Sequence, residues 1–185
     1  MSFNNSAFRF LLVIVCFLPF LSASLFAQDN GIYVLTAEML EKEKSVELSK
    51  AGWKYRAGDD LNWANPQFND SDWEQVEETI LKPNLTTRAD WNGRGWLRLR
   101  LKIDDALKDK TFAFVMRQIG ASEIYIDNRK IAEFGKISDA EIIEENPNRL
   151  PISFRFDEKD EHIIAVRFAS KTFADMNGAQ ARWLT

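Results

Sequence analysis

The chain has 185 residues but one cysteine, Cys16, and one histidine, His162. Cys16 sits inside an apolar N-terminal run, so the rest of the chain has no thiol. That excludes disulfides, a cysteine nucleophile and thiolate metal sites. One histidine cannot build a histidine metal cluster, and no Gly-x-Ser-x-Gly elbow is present. No cofactor motif occurs, so neither a cofactor nor a metal is expected. With eight Gly and five Pro there is no Gly/Pro-rich linker, and no internal repeat is visible. Basic residues are the minority. Beyond residue 27 there are 23 Lys and Arg against 28 Asp and Glu, a net charge of −5. That balance opposes nucleic acid as a partner, which needs a basic face. It also offers no polybasic handle for anionic lipid.

The one long hydrophobic run lies at the start. Arg9 precedes Phe10 to Phe20, which is almost wholly apolar, and small residues follow at Ser22, Ala23, Ser24 and Ala27. This is the layout of a secretory signal peptide over residues 1–27, with cleavage expected after Ala27. The alternative is an uncleaved signal anchor, since the run is about long enough to cross a bilayer. Export without disulfides fits a bacterial periplasmic or cell-surface protein. Residues 28–44 then read as a leader, and 45–185 as one domain.

What the chain has in quantity is aromatic residues, including 14 Phe and six Trp. Trp53, Trp63 and Trp73 fall within one loop-rich segment that also carries Asp59, Asp60, Asp70 and Asp72. Gly58 and Pro66 mark turns there. In Trp96–Ile103, Leu97, Leu99, Leu101 and Ile103 alternate with Arg98, Arg100 and Lys102. This predicts a strand with one buried face and one basic stripe, read as a solvated face, with an inter-sheet or interdomain contact as the alternative. Further strands are predicted over 31–35, 46–48, 53–56, 111–116, 152–156 and 161–168. Residues 123–134 read as a hairpin turning at Asp127-Asn128-Arg129. Thr36 is placed to cap a short helix through Met39 and Leu40. Many short strands with little helix predict an all-β fold, an antiparallel β-sandwich behind an N-terminal signal helix. The C-terminal Phe173, Met176, Trp183 and Leu184 belong to no finished element, which suggests a domain whose closing strand lies past Thr185.

Three motifs in order carry a resemblance. They are Trp53-x-Tyr55-x-x-Gly58-Asp59-Asp60 with Trp63-Ala64 and Phe68-Asn69-Asp70-Ser71-Asp72-Trp73; Gly95-Trp96-Leu97-Arg98-Leu99-Arg100; and Gly120-Ala121-Ser122-Glu123-Ile124-Tyr125-Ile126-Asp127-Asn128-Arg129-Lys130-Ile131. Together they resemble the galactose-binding-like jelly rolls, over roughly residues 45 to 170. These include the sugar-binding domain of glycoside hydrolase family 2. They also include the exported input domains of bacterial membrane sensors, such as seven-transmembrane receptors with diverse intracellular signalling modules. The resemblance implies a non-catalytic extracytoplasmic ligand-binding or sensory domain, the input module of a larger membrane-bound signalling protein. The alternative it implies is an accessory sugar-binding domain of a secreted family 2 glycoside hydrolase. Either way the segment itself is not expected to be an enzyme. Its partners would be a carbohydrate or other small ligand and a downstream membrane or catalytic domain.

Candidate ligand residues follow from sugar chemistry, which pairs an aromatic ring face with planar polar groups. Trp63 and Trp91 are the candidate rings, and Asp59, Asp60 and Arg94 the candidate hydrogen-bonding groups. Trp53 and Trp73 read instead as core residues, and Asp60, Asp70 and Asp72 serve equally well as turn caps. Asp70-Ser71-Asp72 lacks the ligand pattern of a calcium loop. His162, beside Asp160 and Glu161, reads as a hydrogen-bonded residue at a strand start.

Overall fold

A computed structural model describes residues 31–76 and 91–171. The signal segment, the Pro83-Asn84 turn and the C-terminal apolar residues lie outside them. The described residues are mostly β, with antiparallel pairing dominant, consistent with a sandwich.

The chain enters as strand β1 (Ile32–Leu35) and helix α1 (Ala37–Glu43). Thr36 caps the helix, its side chain accepting from the Met39 N–H at 3.3 Å. The expected strand at 46–48 does not form. β2 (Lys54–Ala57) leads into the Trp/Asp segment, which ends at β3 (Glu74–Gln75). The long β4 (Arg94–Ile103) follows, then β5 (Thr111–Phe114) and the hairpin of β6 (Ala121–Ile126) with β7 (Arg129–Phe134). A minor hairpin, β8 (Lys136–Ile137) with β9 (Ile142–Ile143), precedes β10 (Ile152–Arg155) and β11 (Glu161–Ala169).

The main sheet runs β3-β2-β4-β11-β6-β7, with β1 alongside β4. β1 pairs parallel to β4, Ile32 opposite Arg100. The segment read as a leader therefore contributes a strand to the main sheet. β5 and β10 form a separate antiparallel pair. Between the two layers lies the main core. Leu99, Leu101 and Ile103 of β4 meet Ile164, Val166 and Phe168 of β11 and Ile124 and Ile126 of β6. The β5–β10 pair adds Phe112, Phe114 and Phe154, with Phe156 buried behind them. At ~25 cal/mol per Å² of apolar surface removed from water, such residues supply most of the stabilisation.

The opposite face of the main sheet is also covered. Residues 58–73 fold back over it and form a second apolar cluster of Trp63, Ala64, Phe68 and Trp73 on Trp96, Tyr125, Ile163 and Ala165. Asx turns shape this cover. Asp60 Oδ1 accepts the Asn62 N–H, Asn65 Oδ1 the Gln67 N–H and Asn69 Oδ1 the Ser71 N–H. Gly58 sits at φ +110°, and a Cβ there would meet the Trp63 ring at 3.3 Å. Both conditions select glycine.

This cover corrects the solvated basic stripe. Arg98 is 1% exposed, beneath the segment. Its Nε donates to Asp70 Oδ2 at 2.8 Å, and its Nη1 donates to the carbonyls of Trp63 and Asn65. Lys54 Nζ takes the other Asp70 oxygen at 3.2 Å. Burial alone would raise the Asp70 pKa, but Arg98 and Lys54 outweigh it and hold the carboxyl below its usual range. Arg100 is half-buried and Lys102 exposed, because the strand runs out from under the cover.

Candidate functional site

The candidate ligand residues lie in different settings. Trp91 belongs to the main core: it is 7% exposed, with its ring 6.1 Å from that of Phe168. A Cβ at Gly95 would touch the Tyr55 and Trp91 rings at 2.9 and 3.0 Å, so the packing is close. Trp91 is thus a core residue and not a surface platform, because its apolar ring gains more from Phe168 and Tyr55 than from solvent. Asp60 is exposed and its side chain caps a 3-10 turn, Leu61–Ala64. Trp63, in that turn, is half-buried. It stands edge-on to Trp73 at 5.1 Å and to Trp96 at 6.2 Å, with the Arg56 guanidinium over its ring at 5.6 Å.

Asp59 and Arg94 do converge. Arg94 Nη1 donates to Asp59 Oδ2 at 2.9 Å, and its Nη2 donates to the Ser138 carbonyl at 2.7 Å. Register brings the rest of the cluster to them. Arg167 on β11 lies opposite Trp96 on β4 and Glu123 on β6, so three neighbouring strands present these side chains in one row. Arg167 Nε donates to Asp59 Oδ1 at 2.7 Å, and Trp96 Nε1 donates to the same oxygen at 3.3 Å. Arg167 Nη1 reaches Glu123 Oε2 at 3.1 Å. Glu123 also accepts from the Tyr125 hydroxyl at 2.6 Å and from Lys130 Nζ at 3.2 Å.

The electrostatics follow from this geometry. Burial would raise the Asp59 pKa, but the bond and charge of Arg167, with Trp96 and Arg94, hold it below the usual carboxylate range. The same contest at Glu123, settled by Tyr125, Arg167 and Lys130, also ends low. Burial, reinforced by Glu123, pushes the Tyr125 phenol up. Arg167, bonded first to Asp59, is pushed up as well. The carboxylates and the guanidinium of the cluster are therefore ionised together. Arg94 keeps an outward partner, the fully exposed Asp139, at 3.1 Å.

Arg167, Glu123, Tyr125 and Trp96 escaped the reading of the sequence. One signal was available for two of them: Arg167 and Glu123 are charges inside strands whose neighbouring positions are largely apolar. Their meeting depends on register, which no local pattern reveals.

His162 is 1% exposed, and its ring nitrogens face two acceptors. Nδ1 lies 2.6 Å from Asp127 Oδ2 and Nε2 lies 3.1 Å from the Lys159 carbonyl. With Asp157 these residues are the one metal-type trio among the described residues. The 2.6 Å contact is a hydrogen bond. Two ligands of a common tetrahedral zinc would stand roughly 3.3 Å apart. His162, bonded to Asp127 and to the Lys159 carbonyl, clasps the β6–β7 turn to the β10–β11 connection.

No protein-family model matches the chain, and no curated protein matches it either. Solved structures do. A Bacteroides uniformis β-glucuronidase is 20% identical over 70% of this chain and 14% of its own, with a TM-score of 0.48. A glycosyl hydrolase family 2 member from Bacteroides cellulosilyticus DSM 14838 is 24% identical, covering 72% of this chain and 18% of its own, with a TM-score of 0.45. The chain spans less than a fifth of either. Likeness at this level bears on neither ligand nor activity. By its own fold and site, the chain is a β-rich domain carrying a fully ion-paired polar cluster.

Proposed function

We propose that the chain is a non-catalytic accessory module: a galactose-binding-like jelly roll of the family 2 glycoside hydrolase type. In this reading it is exported by residues 1–27 and holds a carbohydrate or similar hydroxyl-rich ligand at the Asp59–Arg94 corner. Reaction chemistry belongs to another part of the polypeptide.

One observation carries the non-catalytic reading. At this corner, Asp59 and Glu123 share Arg167, and both are held low. Glycoside hydrolysis needs one carboxyl with a raised pKa to protonate the leaving oxygen. This pair offers hydrogen-bond acceptors and no proton. The corner can still recognise hydroxyls. Arg94 is 22% exposed and its outermost partner, Asp139, is free to swing away in solvent. The half-buried Trp63 edge lies in the cluster that Trp96 shares. The order of the three motifs supports the jelly roll.

Calorimetric titration of the chain with neutral mono- and oligosaccharides tests it. Binding that Arg94→Lys and Trp63→Ala weaken by about tenfold or more is expected, the scale of one charge-assisted hydrogen bond. No binding across the panel removes the ligand reading. Turnover of an aryl glycoside by the chain removes the non-catalytic one.

A further inference from the structure

A recess of about 390 Å³ opens at the end of the sandwich, between the β6–β7 turn and the connection from β10 to β11. It shares no residue with the Asp59–Arg94 corner. Its apolar wall comes from Ile126 and Phe156, each 3% exposed. Three cations and two carboxylates line the rest.

Both carboxylates are fully engaged. Asp127 Oδ1 accepts the Ile163 N–H at 2.8 Å, and Oδ2 meets His162 Nδ1. Asp157 accepts the Lys159 N–H at 3.0 Å on one oxygen and Lys159 Nζ at 2.8 Å on the other. Lys159 therefore already has its counter-ion. The two guanidiniums do not. Arg129 donates one bond, through Nη2, to the Arg155 carbonyl at 3.3 Å. Arg155 donates one, through Nε, to Thr111 Oγ1 at 2.9 Å. Among the described residues neither forms an ion pair, and most of their N–H donors are unmatched.

The supports beneath are rigid. The Asp127-Asn128 turn has φ of 49° and 70°, the pair of left-handed residues that closes a tight hairpin. His162 clasps that turn to the Lys159 carbonyl, and its ring lies 4.5 Å from that of Phe156. Arg129 and Arg155 thus rise from backbone held in a fixed relation.

We propose that this recess binds a small monoanionic ligand through its carboxylate, held by Arg129 and Arg155. A guanidinium presents a planar fork that matches a carboxylate through two parallel hydrogen bonds. The charge count selects the valence. Three cations and two carboxylates leave one net positive charge, which a monoanion balances. A dianionic phosphate or sulfate would overshoot that charge and meet Asp127 and Asp157.

The test is titration of the full chain at low and moderate salt with sodium glucuronate, methyl glucoside, inorganic phosphate and sulfate. Glucuronate is expected to bind here, and any methyl glucoside binding, which would belong to the Asp59–Arg94 corner, should be unchanged by the arginine variants. Arg129→Gln and Arg155→Gln should each weaken glucuronate about tenfold or more, one charge-assisted bond's worth. Arg155→Lys should recover only part, because it restores charge without the fork. Lys42→Gln, on the exposed side of α1, is the charge control and should change nothing. The site is overturned if no glucuronate binding is seen, if phosphate binds more tightly, or if Lys42→Gln weakens binding as much as the arginine variants. Thermal midpoints of both Gln variants, expected within a few degrees of the parent, separate lost binding from lost fold. Trp63→Ala should leave glucuronate binding intact, so failure here and failure at the Asp59–Arg94 corner are distinguishable.

Discussion

Replacing Asp70 with asparagine tests the most consequential feature of the second sheet face. Arg98 has no exposed side-chain surface, and among the described residues Asp70 is the carboxylate that pairs with it. The burial of Arg98 lowers its own pKa, opposed by the Asp70 bond and charge. The Asp70→Asn substitution keeps the volume and removes the charge. Stripping one partner from a buried pair costs about 3–5 kcal/mol, because the survivor is left uncompensated. Arg98 would retain the Trp63 and Asn65 carbonyls, which places the expected cost near the lower end, about 3 kcal/mol. For a domain of this size that is roughly 10 °C in Tm. Urea unfolding read by tryptophan fluorescence is the assay, since Trp63, Trp73 and Trp96 surround the pair. A double-mutant cycle built from Asp70→Leu and Arg98→Met completes it. The Asp70→Leu/Arg98→Met double variant should regain most of the loss, because apolar replacement removes both desolvation penalties. A cost below about 1 kcal/mol, the range of an exposed pair, would refute the burial of Arg98 and with it the covered second face.

Trp91→Ala should cost about 3–5 kcal/mol in the same assay, the scale of an aromatic removed from a core; an unchanged midpoint would place the ring outside the core. Acid should destabilise the chain in a defined window. Asp59, Asp70, Glu123 and Asp127 are all held below their unfolded values, 3.8 for Asp and 4.5 for Glu. A depressed folded pKa gives stability that is complete above the unfolded value and lost as pH falls through the folded one. Stability should therefore be level from these groups above about pH 5 and fall below about pH 4. Urea midpoints equal at pH 6 and pH 3 would contradict that.

Much of the fold was legible from local patterns. The alternation in 96–103 gave β4, and the Asp127-Asn128 turn gave the β6–β7 hairpin. Thr36 capped α1 as its position suggested. Asp60 could be read as a ligand group or a cap, and the cap is what forms. The site was legible only in part: Asp59 and Arg94 were singled out, while their partners were not. Trp91 was misplaced because a tryptophan in a Gly-rich polar loop looks the same in sequence whether it turns inward or outward.

What the amino-acid order determined by itself was everything fixed within a few residues: strand alternation, the positive-φ turns, the Asx caps, and an aromatic content that demands a core. Only the tertiary structure decided which charges are buried and which groups meet. Arg167 and Asp59 are 108 positions apart, and their bond exists because β11 pairs with β4 in one register. β1 joined β4 in parallel, and the Trp/Asp segment folded over Arg98, by the same kind of long-range fit. Backbone sterics and side-chain period act over a few bonds and can be read along the chain. Register, cover and ion pairing depend on distances through space that the chain sets only once it has folded.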